Sequence, residues 1–304
     1  MDTSNDFRSR LTGGDQLSGS QKLMILVLSM TLYGVGDLVC QIIPEFQAGP
    51  FELGVSYFAF IAVVLAALLN PFWVALGAPL GELVFSDMLL GDFGGFGELE
   101  GFLQTALAIF VAGTLVRNPK NLKQLALAPV VMVLVDKVLG GVVDILKVVV
   151  GVDPETLEEA DGLYSTLIFV EGADIVITVI LSGILFGAVP AMWLAPRLHG
   201  KLEPIMGLRP RDPQNPPKME GPGGVSIWIV GALVFVVAGA ITMFAQWEEF
   251  VGREGIGTFG AFEPDYIDQF GDFYLWIAIL VAAAVGFGAF IVIKALAGRT
   301  RVRD

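Results

Sequence analysis

The sequence predicts an all-α fold: a polytopic membrane bundle of eight transmembrane helices, with both termini in the cytoplasm. Three features point to it. Hydrophobic residues make up 55% of the 304 residues, and the mean hydropathy is +0.72. The apolar residues follow no amphipathic period. They lie in runs of about 16 to 30 residues divided by short polar loops, long enough to cross a bilayer. Basic residues then alternate from loop to loop, as a multi-pass topology requires.

Residues 1–20, MDTSNDFRSRLTGGDQLSGS, are polar and rich in Gly and Ser. They lack the apolar core of a signal peptide and read as a disordered cytoplasmic tail. Span 1 covers 22–43 and span 2 covers 53–69, joined by PEFQAGPFE at 44–52. Span 3 follows at 71–90, and an acidic Gly/Phe loop leads to span 4 at 102–116. The basic turn RNPKNLK carries the chain into span 5 at 124–149. Span 6, at 163–190, opens an apolar stretch that continues to Ala195. It is too long to stand upright, so it tilts, or its last turns after Pro190 lie at the interface.

Residues 21–195 thus form a six-helix membrane domain. The Pro-rich segment 196–224 reads as an irregular cytoplasmic linker. Spans 7 and 8, at 225–246 and 273–295, form a C-terminal transmembrane hairpin over 225–296, before a basic tail at 297–304. Neither of these two spans carries an internal charge. Small residues four apart, such as Ala284 and Gly288, suit close helix packing on the six-helix unit or on a partner.

With the N-terminus inside, the inner segments collect fifteen of the 18 basic residues. Arg253 alone falls on the outer side, and Lys137 and Lys147 fall within span 5. The net charge is −13, and the acids concentrate on the outer face. That face is either a cation funnel or the solvated surface of a salt-adapted organism, a halophilic archaeon by its low pI and few lysines. Nucleic-acid binding is not supported, because the only basic surface is the ordinary cytoplasmic bias. Cys40 is the single cysteine and His199 the single histidine. Disulfides, thiol metal clusters and a Ser-His-Asp triad therefore have nothing to build on. The chain is read as a non-enzyme without cofactor or resident metal.

The informative residues are the acids inside the spans: Asp37, Glu82, Asp87, Asp136, Asp144, Glu171 and Asp174. A carboxylate in hydrocarbon is costly unless paired, neutralised or hydrated. The topology places all seven in the outer half or near the midplane, with Lys137 beside Asp136. Scattered ion pairs have no need to share a depth; a water-accessible pocket open to the outside does. Spacing adds detail. Asp144 and Lys147, three apart, suit an intrahelical pair. Glu171 and Asp174, also three apart, repel each other, which raises one pKa or calls for a cation. Glu82 shares a helix face with Ser86, whereas Asp87 points elsewhere.

The run FAFIAVVLAALLNPFWVALGAPLGELVFSDMLLG, the acidic loop after it, and FLQTALAIFVAGTLVRNPK carry a further signal. Gly77, Pro79 and Gly81, then Asp87, Leu89 and Gly91, then Arg117 form a pattern. It resembles the membrane-embedded S components of energy-coupling factor (ECF) vitamin transporters, over residues 22–195. The resemblance implies a substrate-capture subunit whose site lies in the outer half of the bundle. That site would sit beneath the loop 44–52, with Phe46 and Phe51 as gating residues over the ligand. It also implies an ECF coupling subunit and ATPases as partners.

The function expected is binding and uptake of a small solute, vitamin-like and cationic or amine-bearing, through an outward-facing pocket. Asp37, Glu82, Asp87, Asp136, Lys137, Asp144, Glu171 and Asp174 would line it. The expected location is the cell membrane, with lipid and the solute as contacts. The alternatives are a structural or assembly membrane protein without transport activity, and a proton- or cation-coupled secondary transporter.

Overall fold

The computed structural model describes residues 17–44, 46–48, 51–150, 172–214, 225–250, 255, 259–262 and 264–300. Its helices are α1 (Gly19–Cys40), α2 (Ala59–Leu68), α3 (Pro71–Leu90), α4 (Gly95–Leu115) and α5 (Leu122–Val150). They continue with α6 (Gly172–Leu198), α7 (Leu202–Ile205), α8 (Val225–Phe250), α9 (Tyr266–Phe270) and α10 (Phe273–Thr300). Of these, α1, α3, α4, α5, α6 and α10 are long and apolar enough to cross a membrane, and α8 is apolar over Ile229–Ala245.

Helix α1 opens on a capping box. The Gln21 amide donates to Ser18 Oγ, and the Ser18 amide donates to Gln21 Oε1 at 2.9 Å, which satisfies two end donors reciprocally. A small antiparallel hairpin follows, β1 (Phe46–Ala48) against β2 (Phe51–Leu53), with Phe46 opposite Leu53. The chain then runs without helix through 54–58 before α2 begins.

Here the structure corrects the expected span over 53–69. Strand pairing takes 51–53, and the helix keeps only Ala59–Leu68. Ten residues rise about 15 Å, half the hydrocarbon thickness. Helix α2 is also the innermost element. Ala59, Ala62, Val63, Ala66 and Ala67 have no accessible surface, as suits a helix apolar on every side. It touches α1, α3, α4, α5 and α6, which pack around it in the chain of neighbours α1–α3–α4–α5–α6.

The α1–α3 contact is the tightest in the bundle, and glycines make it so. A methyl group on Gly81 would land on the Met30 carbonyl oxygen, and one on Gly34 on the Gly81 carbonyl oxygen. Gly77 presses likewise on Leu26 and Ser29. The GAPLG sequence therefore serves a backbone-to-backbone crossing of the small-xxx-small kind. Pro79, inside α3, brings no amide proton and weakens the α-helical ladder. From Glu82 to Asp87 the helix runs as a π turn. It stops at Gly91, whose φ of 85° is a left-handed C-terminal cap open to glycine, with its amide bonded to the Asp87 carbonyl.

The two C-terminal helices were expected as one hairpin. In the structure they pack separately: α8 lies on α4, and α10 lies along α1, with Gly286 against Thr31. They straddle α3. The chain between them is pinned over the end of α3, where Phe93 and Phe262 exchange backbone hydrogen bonds and the Asp265 amide donates to the Gly91 carbonyl. Tyr274 Oη completes the clasp on the Leu89 carbonyl at 3.0 Å.

The opposite, basic end carries Lys22, Arg117, Lys120, Lys123 and Arg197. There the structure corrects the irregular linker expected at 196–224 over its described part, 196–214. Helix α6 runs on to Leu198, α7 follows, and Met206 and Glu203 are almost fully buried. Glu203 accepts from the Gly200 amide at 2.8 Å and pairs with His199 Nδ1 at 2.9 Å. Arg211, 5% exposed, reaches under the bundle. It donates to the carbonyls of Val116 at 2.6 Å, Ala66 at 2.8 Å and Leu69 at 3.1 Å. These carbonyls end α4 and α2, where a cation complements the helix dipoles. Burial pushes the Arg211 guanidinium down to about 10, and Glu203 acts against that shift.

Candidate functional site

Four helices and one irregular segment bring polar groups to one place inside the bundle. Helix α1 contributes Tyr33 and Asp37, one turn apart on a shared face. Helix α3 contributes Glu82, held against α1 by the glycine crossing just before it. The segment ahead of α2 contributes Tyr57, α4 contributes Thr105, and α5 contributes Asp136. Tyr57 Oη donates to Asp136 Oδ2 at 2.9 Å, and Thr105 Oγ1 donates to Asp136 Oδ1 at 3.0 Å. Asp37, 6% exposed, lies within hydrogen-bonding reach of Ser86. Glu82 lies within the electrostatic field of Asp37, Asp87, Asp136 and Glu98, and Tyr33 within that of Glu82, Asp37 and Asp136.

Glu82 and Asp136 sit among packed helices and are only partly exposed. A cavity of about 220 Å³ adjoins this region at the acidic end, between Leu83, Phe93, Phe96, Glu98 and Phe259. Phe96 and Phe259 on its rim are 44% and 70% exposed, so it faces the surface. Glu98 joins the two regions, because its charge acts on both Glu82 and Asp87.

The predicted residues divide as follows. Asp37, Glu82 and Asp136 come together directly. Asp87 belongs to the same carboxylate field, although helical spacing pointed it elsewhere. The helix runs as a π turn there, which rotates residues five apart closer together than an α-helix does, and the Asp87 charge acts on Glu82. Lys137 and Asp174 meet each other across α5 and α6 at 3.0 Å, and Thr178 donates to Asp174 at 3.3 Å. Asp144 lies eight residues beyond Asp136, about 12 Å along α5, outside the cluster. Phe46 is 65% exposed on β1. The side chains of Lys147 and Phe51, and the whole of Glu171, lie outside the described residues.

Sequence reasoning missed Tyr33, Tyr57 and Thr105. Tyr33 carried a signal, its four-residue spacing from Asp37. Tyr57 carried none, because it precedes a helix that begins later than expected. Among the described residues, no three of His, Cys, Asp and Glu converge as a metal shell. The acids are contributed by three helices, α1, α3 and α5. They outnumber the basic groups at that depth, where Lys137 stands paired with Asp174.

No curated protein and no solved structure matches the chain. Residues 24–302 match a family of unknown function, DUF8171, in one run that takes in the first six-helix stretch and both C-terminal helices alike. The chain belongs to the DUF8171 family.

Proposed function

We propose that this protein is a multi-pass membrane protein that binds a small cationic or amine-bearing solute for uptake, at the wall formed by Asp37, Glu82 and Asp136. One observation carries the reading. Three carboxylates from three separate helices lie within one another's electrostatic reach, with Asp87 and Glu98 extending the group toward the acidic end. Structural ion pairs pair off, whereas Asp136 accepts from two hydroxyls and Asp37 from Ser86, so neither is neutralised by a base. The proposed topology has eight spans, with α2 and α8 added to the six long apolar helices, and both termini in the cytoplasm. The basic end, which Arg211 seals, is then cytoplasmic, and the acidic end with its 220 Å³ cavity is the outside.

The S-component resemblance supports the same class, with an ATPase and coupling module as the energy source. Helix α10 lies along α1, so a coupling subunit would dock on another face. A second reading, cation-coupled secondary transport, draws on α2. This half-length helix at the centre of the bundle follows an unwound segment and opens beside Tyr57 and Asp136. Broken helices of that kind hold ions in secondary transporters.

Binding is tested by thermal unfolding of the purified protein in lipid nanodiscs against a panel of amine-bearing vitamins and quaternary ammonium compounds. Saturable stabilisation by a cation, abolished in Glu82→Gln and Asp136→Asn, is the expected result. Stabilisation that survives both changes moves the site elsewhere. Uptake into vesicles with and without an imposed ion gradient separates the two energy sources.

A further inference from the structure

We propose that the cavity of about 220 Å³ at the acidic end binds a small methylated ammonium solute from solution, held by the rings of Phe93, Phe96 and Phe259 and by the carboxylate of Glu98. This site is separate from the wall at Asp37, Glu82 and Asp136 and does not depend on it.

The lining joins two distant parts of the chain. One side comes from the end of α3 and the start of α4, the other from Phe259 and Gly260 in the segment between α8 and α9. Backbone bonds fix the two sides together. The Phe96 amide donates to the Phe259 carbonyl at 3.2 Å, and Phe93 and Phe262 exchange bonds of 2.9 and 2.7 Å. The Phe96 and Phe259 rings accordingly stand 6.4 Å apart, tilted by 51°. A methyl group on Gly94 would meet Glu98 Oε1, so the carboxylate lies over the turn that carries Phe96.

The volume holds about seven groups of water size, at about 30 Å³ each. The lining chemistry selects among solutes of that size. Three aromatic rings offer negative faces, and the charged lining residue is an acid. A primary ammonium brings three N–H groups that need acceptors, and a wall of rings and leucines leaves most of them unpaired. A bare metal ion needs more oxygen ligands still. A trimethylammonium group spreads its charge over methyl surfaces, so ring faces and one carboxylate satisfy it. Its methyls would also cover the apolar surface that Phe96 and Phe259 leave exposed.

The probes are choline and its neutral tert-butyl analogue, in which carbon replaces nitrogen. Both are titrated by calorimetry into the full-length protein in nanodiscs of phosphatidylethanolamine and phosphatidylglycerol, lipids without a methylated ammonium. Choline is expected to bind about tenfold more tightly than the neutral analogue. Phe259→Leu keeps apolar bulk but loses the ring, and is expected to weaken choline about three- to tenfold and the analogue less than about twofold. Phe259→Tyr is expected to retain choline, and Glu98→Gln to weaken choline alone. Absent choline binding or equal affinities in wild type overturn the proposal. So does choline binding unchanged in both Phe259→Leu and Phe96→Leu. Each of these results leaves the carboxylate wall to its own test. Replacing phosphatidylethanolamine by phosphatidylcholine checks the source. Unchanged choline affinity is expected, and a loss of about tenfold or more gives the pocket to lipid headgroups and overturns binding from solution.

Discussion

Lys137 Nζ lies 3.0 Å from Asp174 Oδ2, across the packed faces of α5 and α6. The side chains are 28% and 44% exposed, so the pair is not closed in by the surrounding helices. It also gives the basic side chain next to Asp136 a partner on another helix.

The first prediction concerns that pair. If water reaches it, its coupling in a double-mutant cycle of Lys137→Met and Asp174→Asn is below about 1 kcal/mol, as for solvated ion pairs. Unfolding midpoints in detergent give the value. A coupling of about 3 kcal/mol or more would mean a dry, buried pair and no hollow at that depth.

Tyr57→Phe removes one of the two hydroxyls on Asp136 without changing shape. A loss of about 1–3 kcal/mol is expected, because a polar partner in a low-dielectric site is left short of a bond. Thr105→Val leaves the same acceptor short and acts in the same direction. Since both donors serve one carboxylate, the double variant is expected to be non-additive in the same unfolding assay.

The glycine crossing predicts a local, steric effect. Gly81→Ala forces a methyl group onto the Met30 carbonyl and is expected to cost about 1–3 kcal/mol. Gly101→Ala is the control: a methyl group there meets nothing within 4 Å. Equal stability of the two variants would show that α1 and α3 are not in backbone contact.

Arg211→Ala strands the carbonyls of Val116, Ala66 and Leu69 and is expected to cost about 2–4 kcal/mol. Arg211→Lys recovers little of this, because an ammonium group lacks the planar fork that spans the ends of two helices. Full recovery by lysine would reduce the role of Arg211 to its charge.

Topology is read from cysteine labelling. Cys40 is buried, so a Cys40→Ser background is available. In intact cells, Lys120→Cys is expected to resist an impermeant maleimide, and Asp268→Cys to react. The reverse pattern would invert the orientation.

Much of this protein was legible in order along the chain. Long apolar runs have to become helices, because hydrocarbon leaves backbone groups no other partner. The ends of α1, α5 and α10 accordingly fall within a few residues of their expected positions. Asp37, Glu82 and Asp136 were legible too, because each is too costly in such a run to be incidental.

What one dimension could not show was which neighbours each acid meets. Spacing along one helix suggested Asp144 with Lys147 and Glu171 with Asp174, but the partner of Lys137 came from another helix. A regular α-helical wheel sent Asp87 away from Glu82, and the π turn brought it back. Helix α2 was cut short because strand pairing claimed its first residues. In the described part of the Pro-rich linker, 196–214, Arg211 meets three carbonyls at helix ends that only the assembled bundle brings together. Apolar length is a local property, and the sequence by itself determined the helices from it. Partnership between polar groups depends on how helices cross, and the close packing of Gly34, Gly77 and Gly81 decided that in three dimensions.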